Sequence, residues 1–246
     1  MKKIFLYILA GSLSFTACKK DDEVEMYQEP EDINVQNSYD DQAINKYLNE
    51  NYLDAQGNIK AFSATDPSDD KEKKLSELKV ETLPSGTKYI MREGLQPAPD
   101  KGLEIKSNSV IRIMGRAIAF QAIDNNGNIS AQTPLLNTID GMTIPVVDPM
   151  YYYVKQSTLK NGATDVAKSK SYYEIAGFKE ALQKFKSFDL PNSAAYNLQG
   201  VIIVPSRAAF ARNPHYPYGG ISYRNKSFVF NFQIYGSRDR DTNTED

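Results

Sequence analysis

The chain of 246 residues has one cysteine, one histidine and no tryptophan. A single cysteine excludes a disulfide within the chain. One cysteine and one histidine cannot form the clusters that hold zinc, and a histidine-based triad would rest on His215 alone. His215 sits in Asn-Pro-His-Tyr-Pro-Tyr-Gly-Gly, where a loop histidine is expected at the solvent surface. Ser76-Glu-Leu-Lys79 matches a Ser-x-x-Lys pattern, but within a charged stretch it is read as coincidence. No metal and no cofactor is expected. Charge of neither sign dominates: 29 Lys and Arg stand against 31 Asp and Glu. The basic excess that nucleic-acid binding needs is missing. Beyond residue 17, no apolar run reaches the roughly 20 residues of a membrane-spanning helix.

What is present begins at the first residue. Met1-Lys2-Lys3 is a basic start, Ile4 to Leu13 is almost wholly apolar, and Ser14, Thr16 and Ala17 lead to Cys18. This is the layout of a signal peptide over residues 1–17. Ser-Phe-Thr-Ala-Cys resembles a bacterial lipobox, with Phe15 in place of the usual aliphatic residue. The expectation is cleavage before Cys18, lipidation of that cysteine, and anchoring to the outer membrane. Lys2 and Lys3 are the only charges removed, so the remainder carries a formal charge of −4. Polar sequence from Cys18 to about Asn37 reads as a flexible tether. Lys19-Lys20-Asp21-Asp22-Glu23 resembles a cell-surface export signal and equally a hydrophilic spacer. The cell-surface and periplasmic faces both stay open.

Residues 38–81 read as a helix followed by a charged linker. Between Asp41 and Leu53, Ala43, Ile44, Tyr47, Leu48 and Tyr52 fall on one helical stripe, and Gly57 marks its end. From about Thr82 the pattern becomes β. Thr87 to Arg92 has strand composition, and Ser109 to Ile123 is a longer candidate interrupted by Gly115. Asn126-Gly127 is a hairpin signal, because both positions favour positive φ. Residues 171–187 turn helical, with Phe178, Ala181, Leu182 and Phe185 at i, i+3, i+4 and i+7. Leu198 to Val204 and Ser227 to Tyr235 are the last strands. The sum is an α+β domain, several antiparallel strands around one short helix, with an N-terminal helical extension. Ser237 to Asp246 is charged and reads as a disordered tail.

Several segments carry a family resemblance in order. Val110 to Gly115, with the turn at Asn126-Gly127, resembles the V-x-V-x-Y-x-G strand and hairpin of FKBP-type peptidyl-prolyl isomerases. Tyr173-Glu-Ile-Ala-Gly-Phe-Lys-Glu-Ala-Leu182 resembles their V-I-x-G-W-x-E-x-L. Ile203-Val-Pro-Ser-Arg-Ala-Ala-Phe-Ala211 resembles I-P-S-x-L-A-Y-G, and Ser227 to Phe232 the closing L-V-F-x-V-x-L. The likeness spans residues 82–236. It implies an antiparallel sheet wrapped around a short helix, and an apolar pocket that lowers the barrier to Xaa–Pro rotation. A twisted amide loses polarity, so an aromatic-lined cavity can favour it without nucleophile or metal.

Carried over by position, the pocket would contain Ile113, Ile129, Ile175, Phe178, Phe210 and Phe230. Phe178 stands where the family has its pocket-floor tryptophan, and Phe210 where it has a tyrosine. Ile113 replaces the early-strand tyrosine, and Ile129-Ser130 the Phe-Asp pair after the hairpin. Phe210 has no hydroxyl to offer a substrate carbonyl. The same residues would also serve as ordinary core. Residues 131–170 form an insertion with Tyr151-Tyr152-Tyr153-Val154. Its aromatics either fold back onto the pocket or present a partner surface, and the sequence reading favours the second. Residues 212–224 would be a flap over the pocket. Two functional classes follow from the resemblance. One is an envelope isomerase acting on proline-containing polypeptides to assist folding or export. The other is a non-catalytic accessory subunit of an outer-membrane secretion or assembly complex. A third, glycan binding by exposed tyrosines, has no motif behind it.

Overall fold

The computed structural model describes residues 27–140, 144–241 and 244–245. The signal sequence, Cys18 and the first part of the expected tether lie outside the described residues. The elements in chain order are α1 (Ile33–Glu50), β1 (Asn51–Leu53), β2 (Ile59–Ala61), β3 (Val80–Thr82) and β4 (Lys88–Met91). Then come β5 (Leu103–Glu104), β6 (Val110–Gln121), β7 (Thr133–Asn137), β8 (Val146–Val147) and α2 (Gln156–Lys160). The chain ends with α3 (Ala176–Leu182), β9 (Lys186–Ser187), β10 (Gly200–Val204) and β11 (Lys226–Arg238).

A seven-stranded antiparallel sheet in the order β3-β4-β10-β11-β6-β7 forms the frame, with β8 sharing the β6 edge with β7. The long pair β6–β11 is its axis, running from Lys226 opposite Gln121 to Arg238 opposite Val110. Alternation along these strands decides the two faces. Phe228, Phe230, Phe232 and Ile234 join Ile113, Ala117, Ile202 and Val204 on one face, against α3. Val229, Val201, Ile203, Ile90 and Phe120 point the other way, against α1. The domain is α+β, an antiparallel sheet wrapped around a short helix with an N-terminal helix on its outer face.

Gly115 does not interrupt β6. A Cβ there would lie 2.2 Å from the Asn231 carbonyl oxygen and 2.8 Å from the Phe232 Cα. The glycine lets β6 and β11 approach where the register places it opposite Phe232.

Four expectations differ from what is observed. The first helix starts at Ile33 rather than Asp41, capped by the Asp32 carboxylate accepting from the Asn34 amide at 2.8 Å. Its first two turns bury Gln36 and Asp40 instead of apolar residues, which is why no stripe marked them. Residues 27–37 are therefore packed rather than a tether. The charged segment 63–82 is seated too: Leu75 is fully buried, and Val80–Thr82 is an edge strand. The expected disordered tail is paired through Arg238, and Arg240 is an anchor. Its guanidinium lies 3.5 Å from the Tyr153 ring centroid and 2.6 Å from the Asp148 carboxylate.

The insertion is the fourth. Tyr151, Tyr152 and Val154 are all buried, so these side chains fold back onto the domain instead of facing outward, while Ile144, Val147 and Val166 of the same segment stay exposed. The Tyr152 hydroxyl donates to the Ser109 carbonyl at 2.8 Å, and the Ile175 amide donates to the Tyr151 carbonyl at 2.8 Å. The Val154 amide donates to Glu174, whose other oxygen pairs with Lys179 at 2.7 Å. Backbone groups of a buried segment require such partners, and this one has them.

Candidate functional site

The concave face of the sheet, under α3, is where the resemblance would place a pocket. Ile113, Ile175, Phe178, Phe210 and Phe230 are all buried within one cluster there. Phe178 lies at the centre, its ring centroid 4.2 Å from that of Phe230 and 6.2 Å from that of Phe232. Phe178 is held down by the close approach of α3 to the sheet. At neighbouring Gly177 a Cβ would come within 2.7 Å of Val204 and 2.4 Å of the Thr87 hydroxyl.

Ile129 is elsewhere. It bridges Ala122 and packs against the opposite cluster, beneath α1. The strand that returns along β6 is β7, paired from Ala119–Thr133 to Arg116–Asn137. The hairpin at Asn126-Gly127 is present, with the Ile123 amide donating to the Asn128 carbonyl at 3.0 Å and the Ser130 amide to the Gln121 carbonyl at 2.8 Å, but its register sets Ile129 opposite Ala122 on the α1 face.

The space above Phe178 is filled by the chain itself. The Tyr151 ring sits 5.5 Å from Phe178 and 5.4 Å from Phe230, centroid to centroid. Its hydroxyl is buried and has no hydrogen-bond partner among the described residues. Desolvation drives this phenol far above its usual range. Tyr218 closes the side, its hydroxyl donating to the Tyr173 carbonyl at 2.6 Å and its phenol likewise raised by burial. Tyr223 stacks beyond it, 5.4 Å from Phe228. Tyr151, Tyr218 and Tyr223 were not among the residues expected from the sequence. The signal for the first was the run Tyr151-Tyr152-Tyr153.

The expected flap, residues 212–224, is built around His215. The ring stacks 4.9 Å from Phe210 and accepts at Nε2 from the Tyr223 amide at 2.7 Å. Its Nδ1 lies 2.8 Å from the Asn213 carbonyl, which fixes that nitrogen as the donor. Both nitrogens are thus engaged, and the imidazole holds the loop together. The base of the loop is held from α1: the Ser206 amide donates to the Asp40 carboxylate at 2.9 Å, and Arg207 pairs with Asp41 at 2.7 Å. Burial raises the Asp40 carboxyl above the usual range, against the hydrogen bonds from Ser206 and Gln36. Chemically, the face is an aromatic nest with an unpaired hydroxyl at its centre.

No family model matches the chain, and no curated protein does. Among solved structures it is similar to a peptidyl-prolyl cis-trans isomerase from Pseudomonas syringae pv. tomato. That match has 16% identity and a TM-score of 0.33, over 65% of this chain and 81% of the other. It is similar to FkpA from Escherichia coli at 15% identity and a TM-score of 0.35, over 67% and 54%. A multi-domain immunophilin from Arabidopsis thaliana gives 9% identity and a TM-score of 0.39, over 68% and 50%. The chain thus spans about half the length of the last two. Likeness of this degree carries no argument about activity.

Proposed function

We propose that residues 80–238 are a domain of the peptidyl-prolyl isomerase type, carried by an outer-membrane lipoprotein, whose proline site is occupied by its own Tyr151. In this reading the domain holds a polypeptide partner within an envelope secretion or assembly complex rather than turning over Xaa–Pro bonds. The observation that carries it is the Tyr151 ring, packed against both Phe178 and Phe230. Uncatalysed Xaa–Pro rotation faces a barrier of ~18–20 kcal/mol. An apolar cleft lowers it only if the prolyl ring can enter, and in this reading the Tyr151 phenol ring takes that place. The ordered motifs from Val110 to Phe232 support the domain type.

One observation favours a second reading, an isomerase that assists folding or export of envelope proteins. The unpaired Tyr151 hydroxyl costs about 1–3 kcal/mol while buried. A substrate carbonyl would supply the acceptor it lacks, and the hydroxyl would be the donor that Phe210 cannot be.

The test is cis/trans exchange of an Xaa-Pro peptide, followed by NMR, with the full chain and with Tyr151→Ala. We expect no acceleration by the unaltered protein, and peptide contact at Phe178 once the ring is removed. Acceleration by the unaltered protein would overturn the occupied-site reading in favour of the isomerase. A folded Tyr151→Ala variant that ignores the peptide would overturn the isomerase-type assignment itself.

A further inference from the structure

Eight large hydrophobic side chains are exposed among the described residues, and five of them gather at one end of the molecule. Ile33 and Val35 open α1, Tyr216 and Ile221 lie in the loop after β10, and Val166 shares a cleft with Arg212, Pro214 and Arg224. The segment entering the domain is fastened to this same end. The Tyr27 hydroxyl donates to Gln36 at 2.6 Å and accepts from Asn225 at 3.2 Å. The Glu29 carboxylate takes both Arg224 nitrogens at 2.7 Å and lies 3.3 Å from Arg212. Arg212 in turn donates to the carbonyls of Pro30 and Glu31. The neighbouring arginines hold Glu29 below the usual carboxylate range.

We propose that this end is a membrane-contacting surface, with Tyr216 and Ile221 entering the interfacial layer of the bilayer. The inference rests on the reading that Cys18 carries lipid. Eight residues separate Cys18 from Tyr27, and the span reaches at most roughly 30 Å when fully extended. The fastened segment therefore keeps Tyr216 and Ile221 within a short tether of the surface that holds the lipid. The far end has exposed apolar side chains of its own, Leu103 and Val147, but lies away from the fastened segment. Ser237, at the close of β11, donates to Glu104 beside exposed Leu103. Eleven steps of strand from Lys226 to Ser237 put it about 35 Å away. Tyrosine and branched aliphatics are side chains that settle at the headgroup boundary, and an exposed apolar patch on a tethered domain is covered there. Glu29 offsets one of the two charges of Arg212 and Arg224, so anionic lipid should add little to the contact.

The absence of tryptophan provides the experiment. Single-tryptophan variants Ile221→Trp and Leu103→Trp of the full chain, lipidated in cells, are reconstituted in phosphatidylcholine vesicles with and without brominated lipid. The expected result is emission at shorter wavelength and strong bromine quenching for Ile221→Trp, and neither for Leu103→Trp. Vesicle flotation reports the anchor separately. Protein that floats with Ile221→Trp as unquenched as Leu103→Trp overturns the membrane-contacting surface alone. Protein that fails to float overturns the lipid anchor, and the inference with it.

Discussion

One face of the central sheet is covered by stacked aromatic rings, and the other by a helix that brings an amide and a carboxylate with it. On the α3 side, Phe178, Phe230 and Tyr151 touch one another, and the one polar atom at their centre is unpaired. On the α1 side the packing is mainly aliphatic, with Ile44, Leu48, Val201 and Ile203, and the buried Gln36 and Asp40 side chains are paired, while Asn37 Oδ1 and Ser206 Oγ are not. Gln36 donates to Asp40 at 3.0 Å and to the Ala122 carbonyl at 3.1 Å, while Asp40 receives the Ser206 amide. The first face is a close-packed aromatic core with an unpaired hydroxyl inside it. The second is a structural joint, and its polar atoms fix how α1 meets the loop after β10. A satisfied polar network specifies geometry, whereas an unsatisfied hydroxyl marks a place where another group would fit.

Substitutions sharpen this contrast. The largest effect is expected at Phe178→Ala, about 3–5 kcal/mol of lost stability, against about 2–5 kcal/mol for Ile44→Ala on the other face. Urea unfolding of both variants measures it. A small loss at Phe178 would mean that the aromatic nest is not core. Next is the pH response of Asp40. Its carboxyl is raised above the unfolded value of 3.8, chiefly by burial. The stability it contributes is therefore fully present below that pH and is lost as pH rises through the raised folded value. Asp40→Asn should gain relative to the unaltered protein as pH rises above 3.8. Parallel stability curves would show that the carboxylate is not strained.

Tyr151→Phe removes the unpaired hydroxyl and keeps the ring. It should be neutral or raise stability by about 1 kcal/mol, seen as a higher melting temperature. A loss of more than that amount would reveal an acceptor for the hydroxyl. The smallest effect is expected at Glu29→Gln, which breaks exposed pairs with Arg224 and Arg212. Such pairs contribute about 0.2–1 kcal/mol. Glu29 lies below its ordinary value, so this contribution is present above pH 4.5 and fades as pH falls. Added salt should erase it, as thermal melts at low and high ionic strength would show.

The sheet was legible because its strands alternate. The Phe228-to-Ile234 pattern marks β11, and Phe178, Ala181, Leu182 and Phe185 mark the short helix and the turn after it. The start of α1 was not, because its buried positions are Gln36 and Asp40, and apolar periodicity cannot register a polar face. Gly115 read as an interruption because composition carries no information about how near another strand runs. Four of the expected pocket residues come together around Phe178. Ile129 does not, because the hairpin register sets it opposite Ala122, on the face that α1 covers. The occupant of the nest was visible as a tyrosine run, but the choice between folding back and facing out depends on partners distant in sequence. Ser109, Glu174, Ile175 and Arg240 supply them.

The strand order has a kinetic consequence. β11, the last strand of the chain, lies between β10 and β6 near the middle of the sheet. Until residue 238 is available, β6 lacks the partner along most of its length, and the aromatic side of the sheet cannot assemble. Strands separated by about a hundred residues must meet before either gains, which makes closure slow. A chain truncated before Lys226 would present an unpaired β6 edge, and it should collect as aggregate rather than as a smaller folded domain.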